Sequence, residues 1–164
     1  MFQSKSLSRK SKLKLYWTLI RPVAVYACET WVLKESSIQK FMIFERKILR
    51  KIFGQTKEPN GLWRIKTNEE LDALIQWKNI IRFIKSQRLK WLGHVERLQK
   101  DREVTKIYKW KPFASRPIGR PKNRWEDDVI KDLQTMKIKN RKRSVPDRDL
   151  WKKIVERTKT HTEL

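Results

Sequence analysis

A single cysteine, Cys28, gives this 164-residue chain no intramolecular disulfide and points to a reducing compartment. With only two histidines, His94 and His161, the Cys and His ligands number three, one short of the four a structural zinc site gathers at close spacing. Four glycines and six prolines are too few for an all-β architecture built on many tight turns. No apolar run approaches the roughly 20 residues that cross a bilayer, and the opening "MFQSKSLSRKSK" has no apolar stretch of the secretory kind. There is no Gly-rich phosphate loop and no HExxH, and His94 has no Ser, Cys or carboxylate in triad-like context. These absences argue against a disulfide scaffold, a zinc finger and a membrane protein. They predict no metal, no other cofactor, no membrane partner, and a nuclear or cytoplasmic location rather than secretion.

Acidic residues are scarce as well. Eighteen Asp+Glu face 41 Lys+Arg, for a formal charge of +23 and an isoelectric point near 10.4. Self-repulsion of that size opposes compaction and favours a polyanionic partner. A pI above about 9 with clustered Lys and Arg is the electrostatic footprint of a nucleic-acid binder; a solvated basic surface is the plain alternative. Yet 38% of the residues are hydrophobic, eight tryptophans among them, more than a disordered tail carries. An all-α fold is predicted, with helices around a real core joined by basic loops.

Periodicity places those helices. Ser8 or Ser11 caps one that runs through "KLKLYWTLI" to Arg21, where Pro22 ends or kinks it. The apolar run "VAVYACETWVL" fits helix or strand, and its neighbours favour helix. In "SSIQKFMIFERKILRKIFG", Ser36 or Ser37 supplies the N-cap and Gly54 suits the left-handed residue at the far end. Ile38, Phe41, Met42, Ile48, Leu49 and Ile52 share one arc, while Arg46, Lys47, Arg50 and Lys51 take the other. Glu45 lies inside the apolar arc and needs a cationic partner, for which Arg21 is the candidate.

Further on, Pro59-Asn60-Gly61 marks a turn, and Thr67 with Glu70 forms a capping box before a short helix over Leu71–Trp77. "NIIRFIKSQRLKWLGHVERL" reads as a longer helix. Ile80, Ile81, Ile84, Trp91, Leu92, Val95 and Leu98 make its stripe, with Arg82, Lys85, Lys90 and Arg97 turned away. "KPFASRPIGRPK" has no helical period and reads as an extended basic linker. Helices follow over 123–136 and in "DRDLWKKIVERTK", with the basic break "KIKNRKRSVP" between them. Lys139, Arg141, Lys142 and Arg143 in that break fit a nuclear-import signal or a phosphate-binding patch.

Two features of "RPIGRPKNRWEDDVIKDL" invite stronger readings. Polymerases hold two Mg²⁺ ions between adjacent aspartates, which clamp the attacking and leaving oxygens. Here Trp125, Val129, Leu133 and Met136 recur at helical spacing, which sends Asp127 to solvent and leaves Asp128 at the edge. Acidic residues in a first turn suit the helix dipole, and Asp127 has Lys131 four residues on for a pair. Asp127 and Asp128 therefore read as a helix start rather than a catalytic dyad. Gly119-Arg120-Pro121 resembles the core of a minor-groove hook, but Ile118 stands where such a hook places its first Arg. Arg116, Arg120, Lys122 and Arg124 would still attract phosphates by counterion release, so backbone contact outweighs groove reading, with a solvated linker as the alternative.

Taken in order, "KLKLYWTLIRPVAVYACETW", "FERKILRKIFG", "WRIKTNEEL", "RLKWLGHVERL" and "GRPKNRWEDDVIKDL" resemble the far C-terminal part of the endonuclease–reverse transcriptases of non-LTR retrotransposons of the RTE or Jockey type. The resemblance covers nearly the whole chain. It implies a late-thumb helical remnant over 1–56, a helical connector over 57–110, and a basic linker with two short helices over 111–164. It also implies that the polymerase and endonuclease carboxylates belong upstream, so that Met1 falls inside thumb sequence and part of the thumb's apolar surface is bare. In such proteins the thumb grips the template–primer backbone, a role that Arg46, Lys47, Arg50 and Lys51 match. The expectation is a fragment that is not itself an enzyme and binds nucleic-acid backbone, RNA, DNA or hybrid. The contacts would come from these four residues together with Arg82, Lys85, Lys90, Arg116, Arg120, Lys122, Arg124, Lys139, Arg141, Lys142 and Arg143. A remnant without activity and a protein–protein adaptor using the bare apolar thumb face are the alternatives.

Overall fold

The computed structural model describes residues 2, 6–76, 78–110, 124–138 and 140–161. The linker at 111–123, with Arg116, Arg120 and Lys122, lies outside them, as does Lys139. The described residues form an all-α fold with a single two-stranded ribbon.

Ser8 accepts the Ser11 N–H at 3.1 Å and opens α1 (Arg9–Leu15). The kink expected at Pro22 takes the form of a π-helical turn, Tyr16–Ile20, in which the Arg21 N–H reaches back to the Tyr16 carbonyl. Pro22 then sits in the first turn of α2 (Arg21–Ala24), directly after the π-helical turn. The continuous helix expected over "VAVYACETWVL" does not form. Ala27 adopts a left-handed φ of +55°, a short 3₁₀ turn follows over Cys28–Thr30, and the chain is extended by Trp31. That reversal brings Val25, Cys28 and Leu33 onto one core cluster, burial that an unbroken helix would split between faces.

Helix α3 (Glu35–Phe53) starts one residue before the serines expected to cap it. Lys34 is its N-cap, and Ser36 and Ser37 fall inside the first turn. Gly54 ends it at a φ of 72°. The turn at Gly61 joins β1 (Thr56–Lys57) to β2 (Trp63–Arg64), antiparallel with Thr56 opposite Arg64. The predicted capping box starts α4 (Asn68–Leu74): Thr67 Oγ1 accepts the Glu70 N–H, and Glu70 accepts the Thr67 N–H. After α5 (Ile80–Glu96) come two short helices that periodicity did not separate from loop, α6 (Glu103–Lys109) and α8 (Arg141–Ser144). Between and after them lie α7 (Trp125–Thr135) and α9 (Arg148–Thr158), the latter capped by Asp147.

Helix α5 is the spine. Its first turns, through Ile80, Ile81 and Ile84, close a cluster with Val25, Cys28 and Leu33. Its later turns, through Leu89 and Leu92, close another with Val129, Leu133, Met136, Val145, Trp151 and Val155. A third cluster joins Tyr16 to Leu49, Ile52 and Phe53 of α3 and to Leu71 and Ile75. The cores therefore run across position 56, tying the first segment of the chain to α4 and α5.

Candidate nucleic-acid interface

On α3, Lys40, Lys47 and Lys51 are all exposed. Their spacing of seven and four residues keeps them within a narrow arc, since each residue turns about 100°. They form one stripe about 16 Å long at 1.5 Å per residue. No carboxylate among the described residues pairs with any of the three. Lys40 belongs to this stripe although the basic arc expected on the helix began at Arg46. Arg46 and Arg50 stand beside the stripe, turned toward α4. Arg50 Nη2 donates to Asn68 Oδ1 at 2.9 Å, and Arg46 acts electrostatically on Glu69 and Asp72.

Three other candidate cations are engaged inside the fold. Arg82, expected to face away from the apolar stripe, is buried, with the Asp72 charge as its electrostatic neighbour. Lys85 pairs with Asp132 Oδ1 at 2.8 Å. Arg141 meets Glu96 Oε1 and Glu126 Oε1, each at 3.2 Å, and Tyr108 donates its phenol O–H to the same Glu126 oxygen at 2.8 Å. The reason is common to Arg82 and Lys85, both on α5. A stripe read from one helix assumes one buried face, whereas α5 packs against α3, α6, α7, α9 and the 3₁₀ turn at Cys28. Lys90, Arg124, Lys142 and Arg143 remain exposed.

The adjacent aspartates are divided as a helix start divides them. Asp127 is exposed. Asp128 is drawn inward: its Oδ2 accepts Arg88 Nη2 at 2.6 Å and the Leu33 N–H at 3.0 Å. Arg88, whose side chain is wholly buried, also reaches Asp132 Oδ2 at 3.4 Å. Asp128 and Asp132 at i,i+4 on α7 thus face Lys85 and Arg88 at i,i+3 on α5. Trp125 completes the dock by donating its indole N–H to the Glu29 carbonyl at 2.8 Å. Among the described residues, no ion pair joins Asp127 to Lys131, and no group of three His, Cys, Asp or Glu side chains could hold a metal ion.

Glu45 is buried, as expected, with different partners. Tyr16 donates its O–H to Oε1 and the Ile80 N–H donates to Oε2, both at 2.8 Å. The carboxylate thus receives an orphan N–H in the first turn of α5, where the helix dipole favours an anion. Arg21 contributes only its charge from a distance; its guanidinium lies 4.2 Å over the Phe83 ring. Burial pushes the Glu45 carboxyl above its usual range, against the lowering effect of the Ile80 and Tyr16 hydrogen bonds and of the Arg21 charge. Burial and the Glu45 charge likewise push the Tyr16 phenol up.

Apolar surface is bare on the first segment: Leu19, Val23 and Tyr26 are 58%, 78% and 82% exposed. Trp91, expected in the core, is half-buried and stacks on His94 at a 5.3 Å centroid separation. Among the described residues, no helix is long and apolar enough to cross a membrane. Arg88, Asp132 and Lys40 are the residues that sequence reasoning passed over. The i,i+4 acids opposite i,i+3 bases were the signal available for the first two.

No family model matches the chain, and no solved structure matches it. Over 163 residues it is 24% identical to an uncharacterized transposon-derived protein of Caenorhabditis elegans, covering 94% of this chain and 57% of that protein. The chain therefore spans less than two thirds of that relative's length. The similarity supports a transposable-element origin for the sequence.

Proposed function

We propose that this chain is a non-catalytic module that binds the sugar–phosphate backbone of nucleic acids. In this reading it is derived from the C-terminal part of a non-LTR retrotransposon reverse transcriptase. The observation that carries the reading is the exposed, unpaired lysine stripe of Lys40, Lys47 and Lys51 on α3, in a chain whose formal charge is +23. Lysines held on a rigid helix without carboxylate partners lose little by exchanging counterions for phosphates, and the released counterions supply the driving force. Such contacts fix orientation on a strand and carry no base information. Lys90, Arg124, Lys142 and Arg143 extend the same chemistry elsewhere on the surface.

The reading accounts for the adjacent aspartates as well. Asp128 is committed to Arg88 and the Leu33 N–H, so it serves the docking of α7 rather than phosphoryl transfer. Anisotropy of a labelled DNA duplex and of an RNA–DNA hybrid, across a salt series, tests the proposal. Affinity should fall steeply and linearly in log–log form for both. Affinity indifferent to salt, or nucleotide incorporation by the purified chain, would overturn it.

A protein-contact role is favoured by one observation, the bare row of Leu19, Val23 and Tyr26 at i, i+4 and i+7. Self-association or partner capture that survives salt and nuclease, and is lost in Val23→Glu, would support that second reading.

A further inference from the structure

A cleft of about 860 Å³ opens between the end of α5, α6, the start of α7 and the α8–α9 corner. Its volume falls in the range of small-molecule pockets, roughly 300–1,000 Å³. Its two carboxylates, Glu96 and Glu126, are both engaged by Arg141. The remaining charged groups of its lining are all cationic. Two of them, Arg97 and Arg148, also line a second hollow of about 310 Å³, so this pair stands where the two spaces meet. Among the described residues no carboxylate pairs with either. Arg97 spends one N–H on the Val145 carbonyl at 2.9 Å. Burial and then the nearby Arg148 charge lower its pKa, the mark of two like charges held together.

Two donors in the same lining lack partners among the described residues. The Thr105 hydroxyl and Arg141 Nη1 are both closed to solvent and make no hydrogen bond, and Thr105 is only 3% exposed. Buried polar groups are nearly always satisfied, so each such exception calls for an explanation. Two aromatic side chains complete the wall, Tyr108 and, 63% exposed at its edge, Trp110. Unmatched guanidiniums, idle donors and aromatic faces in one cleft match what a nucleotide offers: phosphate oxygens and a flat base.

We infer that this cleft receives a single unpaired nucleotide of a bound strand, its phosphate against Arg97 and Arg148 and its base against Tyr108 and Trp110. The inference rests on the nucleic-acid reading above and adds a preference to it. A duplex meets only the surface lysines and arginines, whereas a duplex carrying an unpaired tail also fills the cleft.

The test compares a labelled blunt duplex with the same duplex bearing a short single-stranded tail. The tail should tighten binding about tenfold, since stacking one base supplies a gain of that order. Arg97→Gln with Arg148→Gln should abolish the tail preference while leaving blunt-duplex affinity within about threefold. Arg97 also holds the Val145 carbonyl, so two variants that spare it, Trp110→Ala and Arg148→Gln alone, are read in parallel, with circular dichroism confirming that they fold. Each should lose most of the tail gain. Retention of the preference in the variants that spare Arg97, or its absence in the unaltered protein that still binds the blunt duplex, overturns the cleft inference alone. Failure to bind either probe overturns the nucleic-acid reading and the cleft with it.

Discussion

Trp151 fills the space that a side chain at residue 93 would need. A methyl group on Gly93 would overlap the indole, which donates its N–H to the Leu89 carbonyl at 3.0 Å. Glycine in the middle of α5 costs about 0.5–1 kcal/mol of helix stability relative to alanine, and here it lets α9 approach the backbone of α5. Gly93→Ala should therefore destabilise the fold by about 1–3 kcal/mol, the usual cost of overpacking, despite the better helix former. Urea denaturation followed by circular dichroism measures it. A more stable variant would mean that Trp151 does not hold this position.

The buried guanidinium of Arg88 sets a second expectation. Arg88→Ala would leave Asp128 and part of Asp132 facing the core without their cation. Breaking a buried pair from one side costs about 3–5 kcal/mol. Asp128→Asn should cost less than Asp128→Ala, because an amide oxygen still accepts the Leu33 N–H. Equal losses for those two would remove the Leu33 contact from the account.

Glu45 gives a pH dependence of defined sign. Its folded-state pKa is raised, with burial as the largest cause, so the folded state binds the proton more tightly than the unfolded chain does. The stability linked to that proton is complete below the ordinary value of 4.5 and is lost as pH rises through the folded-state value. Unfolding midpoints of the natural protein relative to Glu45→Gln should therefore fall from about pH 4 to about pH 8. A flat difference over that range would show that the carboxyl titrates as though exposed.

The lysine stripe predicts a change in slope rather than affinity alone. If Lys40, Lys47 and Lys51 each neutralise one phosphate of a B-form duplex, the triple Lys→Gln variant should flatten the log K against log salt line by about 2–3. The same substitutions should leave the melting curve nearly unchanged, because all three side chains are exposed and unpaired. An unchanged slope would place the duplex contacts elsewhere.

Some local signals in this sequence survive into the fold, although the Ser36 or Ser37 cap and the Asp127–Lys131 pair do not form. Ser8 caps α1, Thr67 and Glu70 make their box, and Gly54 takes the positive φ. The α3 periodicity sends Leu49 and Ile52 inward and Lys47 and Lys51 outward. Each of these depends on groups within four or so residues. The step from one helix to its surroundings is less legible: a single buried face on α5 would send Arg82 and Lys85 to solvent, whereas Arg82 is buried and Lys85 pairs with Asp132. The apolar run at 23–33 failed for a related reason, since Val25, Cys28 and Leu33 are buried against α5, a segment distant in the sequence.

By itself, then, the sequence determined that this chain is helical, strongly cationic, and without a disulfide between two of its own cysteines. Composition and short-range periodicity act within a turn or two of helix and need no knowledge of neighbours. Only the tertiary structure decided which cations are free and which are spent. Whether Arg88 meets Asp128, or Trp151 meets Gly93, depends on side chains 40 and 58 positions apart being brought together by packing, and no local pattern encodes that distance.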